Sequence, residues 1–196
     1  MKTSDFDFPL PEDLIAQEPL EQRDASRLMV LDRLTGRTEH RAFTDITEYL
    51  SEGDMLVLNR TRVLPMRIRG TKRNGLPLEI LLVKQLGPRR WEVMTKGRYS
   101  GPVRISDRIG ATVERGEVAD LEYEGDLRDI LWLDGEMPLP PYLKRRAHEG
   151  DKQRYQTVYA TEEGSIAAPT AGLHFTPEVI GMLERKGVSV RYLTLH

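Results

Sequence analysis

Six short apolar segments separated by turn residues fill the middle of the chain, and they constrain its fold more than any other feature. Such spacing is typical of a β-barrel, and Asn74-Gly75 between the first two segments indicates a tight hairpin turn. Met137-Pro138-Leu139-Pro140-Pro141-Tyr142 then predicts a stiff, extended return segment. The predicted strands are residues 66–71, 78–85, 91–96, 109–115, 118–123 and 130–133.

The sequence on either side of this region is α/β in character. A buried strand at 27–32 is predicted to turn at Gly36 into a second strand that runs to Phe43. The unbroken apolar run Met55-Leu56-Val57-Leu58 predicts a strand covered on both faces. Short helices are predicted at 11–16 and 44–50. We therefore expect an α/β fold, a mixed sheet with helices, carrying an inserted β-barrel domain: α/β at 1–64 and 155–196, barrel at 65–154.

The segment Ala167-Ala168-Pro169-Thr170-Ala171-Gly172-Leu173-His174-Phe175-Thr176-Pro177 is too apolar for an ordinary surface loop, and Pro and Gly interrupt it too often for a strand or helix. Thr176 is a good N-cap for a helix that Gly187 ends. Free N–H groups there, with the hydroxyls of Thr170 and Thr176 and the imidazole of His174, could hold a phosphate or carboxylate. The alternative is a buried connector in which His174 is a hydrogen-bonded core residue.

Composition narrows the class of protein. Of the 196 residues 39% are hydrophobic and 31% charged, which favours a soluble globular protein. The chain has no cysteine and only four scattered histidines, so we expect no disulfide, thiolate chemistry or metal site. No apolar run is long enough to span a membrane, and the first residues lack the basic and apolar regions of a signal peptide. We therefore expect a cytoplasmic protein, and we expect it to be a monomer. The last predicted strand, from Val188, stops without a polar tail, which indicates that the chain is cut short.

Charge is strongly segregated although the net charge is only −2. Residues 60–73 contain six basic and no acidic side chains, whereas residues 111–136 contain nine acidic side chains and two arginines. The basic segment predicts a surface that faces a polyanion. The alternative is that both segments are the solvated faces of ordinary strands.

Two polar segments are candidates for ligand contacts. Arg23-Asp24-Ala25-Ser26-Arg27 places a carboxylate and a hydroxyl between guanidinium groups, although a linker with surface ion pairs explains it equally well. Asn59-Arg60-Thr61-Arg62 follows the apolar strand at its carboxyl end, where α/β sheets place ligand contacts, and its alternative is a hinge between domains. These features alone indicate an RNA-handling protein with a small-molecule site at a helix N-terminus.

Several whole segments, in order and spacing, resemble the S-adenosylmethionine:tRNA ribosyltransferase-isomerase family of queuosine biosynthesis. The resemblance implies transfer and isomerisation of the ribosyl part of S-adenosylmethionine onto 7-aminomethyl-7-deazaguanine at the tRNA wobble position. The products would be epoxyqueuosine-tRNA, adenine and methionine, and no metal or permanently bound cofactor is implied. The segments are Leu14-Ile15-Ala16-Gln17, Arg23-Asp24-Ala25-Ser26-Arg27-Leu28, 53–65, 137–142, 154–160 and 167–176.

The reaction that the resemblance implies needs a proton carrier, substrate contacts and a tRNA-binding surface. We assign His174 to proton transfer or adenine contact, since His is the only side-chain type here that exchanges protons near neutral pH, and Asp24 is the rival base. Arg62, Arg67 and Arg69 are expected to bind tRNA phosphates, on the basis of charge alone. The expected substrate contacts come from the quoted segments: Arg23, Ser26, Arg27, Asn59, Thr61, Pro169, Thr170, Ala171, Gly172, Leu173 and Phe175.

Two positions depart from the family pattern. Arg60 stands where Asp or Asn is usual, and Glu136 stands where a His is common. Family members also continue beyond His196 into a further α/β section. Two alternatives to the modifying enzyme therefore stay open: a catalytically inactive fragment, and a tRNA-binding or RNA-binding module.

Overall fold

The structure is a computed structural model that describes residues 1–195. Its strands are β1 Arg27–Leu31, β2 Thr38–Ala42, β3 Met55–Asn59, β4 Thr61–Val63, β5 Arg67–Lys72, β6 Pro77–Gln85, β7 Arg90–Thr95, β8 Gly101–Arg104, β9 Ile109–Glu114, β10 Val118–Tyr123, β11 Glu162–Ser165 and β12 Ser189–Leu193. The α-helices are α1 Leu127–Asp134, α2 Asp151–Arg154 and α3 Pro177–Arg185. Short 3-10 helices span Thr3–Phe6, Glu12–Leu14, Arg23–Ala25, Phe43–Glu48 and Thr170–His174.

The strands β5 to β10 close into an antiparallel barrel in the order β10-β7-β6-β5-β8-β9. Buried and exposed side chains alternate along each strand, because successive side chains point to opposite faces. The inward positions fill the barrel with branched apolar side chains, including Ile68, Ile80, Leu82, Val113 and Leu121. The expected α/β fold with an inserted β-barrel is confirmed, and the domain boundaries at 64/65 and 154/155 stay predictions.

One predicted barrel strand is wrong. Residues 130–133 belong to helix α1, because the Asp126 side chain caps it by accepting a hydrogen bond from the Arg128 N–H at 2.7 Å. Ile130 and Leu131 then pack against the barrel core. The strand that closes the barrel is β8, which has only one buried side chain, Val103, and so gives little periodic signal.

The α/β part contains two parallel strand pairs, β3 with β12 and β4 with β11, and the antiparallel hairpin β1–β2. Its core is a cluster that includes Phe43, Leu58, Val179 and Leu183. Helix α3 begins as predicted: the Thr176 hydroxyl accepts a hydrogen bond from the Val179 N–H at 3.3 Å.

Two expectations of burial are wrong. Strand β3 is not covered on both faces, since Met55 and Val57 are 61% and 51% exposed. Its alternate residues, Leu56 and Leu58, pack against the apolar core instead. Strand β1 is likewise not buried, because Met29 and Leu31 on one face are exposed. Both strands therefore have one covered face and one exposed face within residues 1–195.

Gly135 sits where α1 ends against the start of the barrel. A Cβ added at this residue would overlap the carbonyl oxygens of Pro65 and Leu131. Backbone atoms cannot rotate away, so Gly135→Ala is expected to lower the free energy of unfolding by about 2 kcal/mol. The melting temperature should then fall by roughly 4–8 °C.

Gly87→Ala is the matched control, since its added Cβ would meet nothing closer than the Arg90 Cβ at 3.7 Å. Differential scanning calorimetry on both variants checks the prediction. Equal melting temperatures for the two variants would contradict it.

Candidate active-site cleft

Segments that are far apart in the sequence meet at one cleft of about 380 Å3. Five of the segments quoted above contribute to it: the N-terminal segment, the segment that begins at Arg23, the proline-rich segment, the segment 154–160 and the segment that contains the Thr170–His174 helix. Its lining is Ile15, Ala16, Gln17, Glu18, Pro19, Leu20, Arg23, Ser26, Leu139, Pro140, Tyr142, Leu143, Arg145, Asp151, Arg154, Tyr155, Thr170, Leu173 and His174. The cleft therefore brings together five of the predicted site residues: Arg23, Ser26, Thr170, Leu173 and His174.

A small apolar cluster packs beside the cleft and shares residues with its lining. Val63, Met137, Leu139 and Tyr155 are buried together, and Leu173 packs against them. Burial raises the pKa of the Tyr155 phenol. The cluster packs the proline-rich segment against the Thr170–His174 helix, so these two parts of the cleft lining are held together by one set of apolar contacts.

Arg23 joins the cleft walls through backbone contacts. Its Nη1 donates hydrogen bonds to the carbonyl oxygens of Gln156 at 2.7 Å and Leu173 at 3.2 Å, and its Nη2 donates to that of Gln153 at 3.0 Å. Burial, and then the nearby charge of Arg154, lower the pKa of the guanidinium. Arg23 thus positions the loop that carries His174.

His174 stands at the cleft wall with its ring against Phe43, the two ring centroids being 5.4 Å apart. The ring is half-buried, and none of residues 1–195 forms a hydrogen bond to its nitrogens. This arrangement differs from the alternative of a hydrogen-bonded core histidine. The imidazole is held by packing, and its nitrogens are free to meet a ligand.

Asp24 lies outside the cleft lining and is only 7% exposed. The Thr176 hydroxyl donates toward its Oδ2 at 3.5 Å, while its Oδ1 has no hydrogen-bond partner among residues 1–195. A carboxylate of the protein itself therefore contacts the N-cap residue of α3, close to the helix end where the sequence predicted a bound anion. Asp24 as a base has less support than His174.

The 167–177 segment is more regular than expected, since Thr170–His174 forms a 3-10 helix. Gly172 is buried, and an added Cβ would overlap the Tyr159 hydroxyl. Burial, and then Tyr192, raise the pKa of Tyr159 to about 12. Phe175 packs edge-on against the Phe43 ring and does not line the cleft. Pro169 and Ala171 also lie outside the lining.

Three more predicted substrate contacts lie away from the cleft. The Asn59 Oδ1 accepts a hydrogen bond from the Thr61 N–H at 2.9 Å. The Thr61 hydroxyl donates to the Leu195 carbonyl at 3.1 Å and accepts from the Leu195 N–H at 3.0 Å. Arg27 is exposed at the start of β1. Asn59 and Thr61 therefore hold the chain that follows β12, and their role in substrate binding stays a prediction.

The three predicted tRNA-binding arginines already have partners. The Arg62 guanidinium lies 5.1 Å from the centroid of the Trp132 ring. Arg69 Nε donates to both carboxylate oxygens of Glu136, at 3.1 and 3.0 Å, and Arg67 Nε lies 3.4 Å from Glu79 Oε1. Glu136, which departs from the family pattern, thus compensates the charge of Arg69.

An ion pair that no sequence pattern predicts, Arg145–Asp151, also lines the cleft. Asp151 is 2% exposed and accepts hydrogen bonds from Arg145 at 2.7 and 2.8 Å and from the His148 N–H at 2.9 Å. Burial opposes ionisation of Asp151, but these hydrogen bonds outweigh it and lower its pKa. No motif marks the pair, because the two residues lie in a charged segment that also fits a solvated surface.

Residues 1–195 contain no group of three or more His, Cys, Asp and Glu side chains arranged to hold a metal ion. No helix in this part of the chain is both long and apolar enough to cross a membrane. The expectations of a metal-free and monomeric protein stay predictions.

Comparison with known proteins gives three findings. Residues 3–196 match the family described as "Queuosine biosynthesis protein". The chain is 47% identical over 207 aligned positions to S-adenosylmethionine:tRNA ribosyltransferase-isomerase from Symbiobacterium thermophilum, covering 100% of this chain and 60% of that protein. A crystal structure of S-adenosylmethionine tRNA ribosyltransferase from Thermotoga maritima is 35% identical, with a TM-score of 0.42, covering 98% of this chain and 58% of that one. The chain thus spans about 60% of the length of its curated relative.

Proposed function

Because the chain belongs to the queuosine biosynthesis protein family, we propose that it acts as an S-adenosylmethionine-dependent tRNA ribosyltransferase-isomerase. It transfers and isomerises the ribosyl moiety of S-adenosylmethionine onto 7-aminomethyl-7-deazaguanine at the tRNA wobble position. Epoxyqueuosine-tRNA, adenine and methionine are the products. The observation that carries the proposal is that five separate motif segments meet at one cleft with His174 in its wall.

The cleft is the proposed binding site of S-adenosylmethionine. Its volume of about 380 Å3 lies in the range of small-molecule pockets, and most of its lining is apolar. Such walls suit adenine and the methylene groups of the methionine part. Tyr142 and Tyr155 provide aromatic rings to which a sulfonium cation is attracted.

The reaction requires proton transfers that His174 is suited to perform. A base must remove a proton from the carbon next to the sulfonium, and the departing adenine must gain a proton or a hydrogen bond. A neutral imidazole can accept the first proton and donate it later. Arg23 is a positioning residue in this account, since it holds the carbonyl of Leu173 immediately before His174.

The proposal includes further properties of the protein. The second substrate is tRNA that carries 7-aminomethyl-7-deazaguanine, and the protein works as a cytoplasmic monomer without a metal. Arg62 borders a second, polar groove of about 930 Å3 together with Arg23 and Trp132. That groove adjoins the cleft through Arg23, which lines both, and is the proposed path by which the nucleotide approaches.

Titration calorimetry with S-adenosylmethionine tests the binding site. Thr170 is exposed and lines the cleft, whereas the adjacent Ala171 is exposed and does not. Thr170→Trp should weaken binding at least about tenfold by filling the cleft, which corresponds to about 1.4 kcal/mol, and Ala171→Trp should leave it unchanged. Equal affinities for the two variants would contradict the site. Salt-sensitive tRNA binding without S-adenosylmethionine binding would favour an RNA-binding module instead.

A further inference from the structure

A concave surface on the barrel wall gathers cations that form no ion pair with any of residues 1–195. Lys72, Arg73 and Arg104, with Thr71 and Pro102, line a depression of about 560 Å3. We name these five residues the barrel basic surface. Arg73 and Arg104 are exposed, and the Lys72 ammonium stands over the Tyr99 ring at 5.0 Å from its centroid.

The barrel basic surface is built by a close approach of two strands. A Cβ added at Gly70 would lie 2.5 Å from Val103 Cγ1 and 2.7 Å from the Arg104 carbonyl oxygen. The absence of a side chain at Gly70 thus lets β8 lie against β5, with Arg104 opposite Thr71. The fold itself joins cations that are about thirty residues apart in the sequence.

The charges of this surface differ from those of the neighbouring arginines. Arg67 and Arg69, earlier on β5, are compensated by Glu79 of the adjacent strand and by Glu136. The basic segment at 60–73 therefore divides. Its first part is paired within the protein, whereas its last part forms no ion pair within residues 1–195 and can meet an external anion.

The barrel also separates charges of opposite sign. In the closed order of six strands, β10 lies three positions from β5 in either direction, so it forms the opposite wall. Asp120 and Glu122 of β10 alternate with the buried Ala119 and Leu121 and so point outward. Asp120 is paired with Arg90 of β7, whereas Glu122 forms no ion pair with any of residues 1–195. A polyanion would therefore be attracted to the β5–β8 wall rather than to the β10 wall.

We propose that the barrel basic surface binds RNA backbone phosphates, as a tRNA contact separate from the S-adenosylmethionine cleft. The inference rests on the proposed function, because that function makes tRNA the polyanionic partner. Lysine and arginine contacts to phosphate supply affinity without reading sequence, and the Thr71 hydroxyl is a further donor. Each neutralised phosphate adds roughly 0.7–0.9 to the salt dependence of binding.

The test measures binding of the whole chain to tRNA between 50 and 200 mM salt, compared with a variant that combines Lys72→Gln, Arg73→Gln and Arg104→Gln. The control combines Lys2→Gln, Arg33→Gln and Arg185→Gln, which removes the same charge from exposed positions outside the barrel. We expect the barrel variant to bind tRNA at least about tenfold more weakly, with a salt slope lower by about 2–3. The control should match the parent chain.

Equal loss in the two variants would overturn the inference, because the effect would then follow net charge alone. Unchanged binding by the barrel variant would overturn it as well. Both results leave the proposed function intact, provided that the parent chain binds tRNA and S-adenosylmethionine. A parent chain that binds no tRNA would overturn the inference together with the tRNA part of the proposed function.

Discussion

His174→Ala is expected to lower the rate of adenine release from S-adenosylmethionine at least about 100-fold, the usual contribution of a positioned acid or base. The ring is held against Phe43 with its nitrogens free, so its removal takes away the proton carrier without removing a hydrogen bond within residues 1–195. The affinity for S-adenosylmethionine should change much less than turnover. Single-turnover assays alongside calorimetry separate the two effects.

A second variant distinguishes the two roles proposed for His174. Gln keeps a hydrogen-bonding group but exchanges no proton near neutral pH. His174→Gln should therefore stay as slow as His174→Ala if the imidazole transfers protons, and recover part of the rate if it only contacts adenine. His40→Ala is the matched control, since His40 is exposed on β2. Undiminished turnover by His174→Ala would remove His174 from the mechanism.

Asp151→Asn is expected to lower the free energy of unfolding by about 3 kcal/mol, because it leaves the Arg145 guanidinium without its buried partner. This corresponds to a fall in melting temperature of roughly 6–12 °C. Glu114→Gln is the control, since it breaks an ion pair with Arg90 in which both side chains are about half exposed. It should lower the free energy of unfolding by less than about 1 kcal/mol. Equal losses in the two variants would contradict the account.

The same pair predicts a pH dependence. The pKa of Asp151 is lowered from the usual value of 3.8, so the folded state binds a proton less readily than the unfolded state. Its stabilising contribution is present above the unfolded value and is lost as the pH falls through the folded value. Urea unfolding between pH 5 and 2 should show a steeper acid loss for the parent chain than for Asp151→Asn. Parallel curves would mean that Asp151 is not the group responsible.

Much of the barrel could be predicted because inward and outward side chains alternate along its strands, as at Ile68 and Ile80. Helix α1 could not, because its four-residue apolar run fits a strand as well as a helix. The Asp126 cap that decides between them lies outside that run. Strand β8 could not be predicted either, because its pairing with β5 and β9 defines it rather than its own residues.

The candidate site was predicted in its parts but not in its assembly. The Thr170–His174 segment and Arg23 both stood out in the sequence, but 150 residues separate Arg23 from Leu173, whose carbonyl it binds. The ion-pair partners of Arg69 could not be predicted from the sequence either. Glu79 lies opposite Arg69 only because of the register in which β5 and β6 pair. Glu136 is brought near Arg69 by an isolated β-bridge between the backbones of Glu136 and Arg67. Contacts of this kind depend on tertiary register, which local patterns do not contain.

The central claim is that the cleft beside His174 carries the reaction, and adenine release tests it most directly. This chain would be incubated with S-adenosylmethionine and tRNA bearing 7-aminomethyl-7-deazaguanine, as the parent, as Thr170→Trp and as Ala171→Trp. The account predicts release by the parent and by Ala171→Trp, and its loss in Thr170→Trp. No release by the parent, or release that Thr170→Trp leaves unchanged, would contradict the claim.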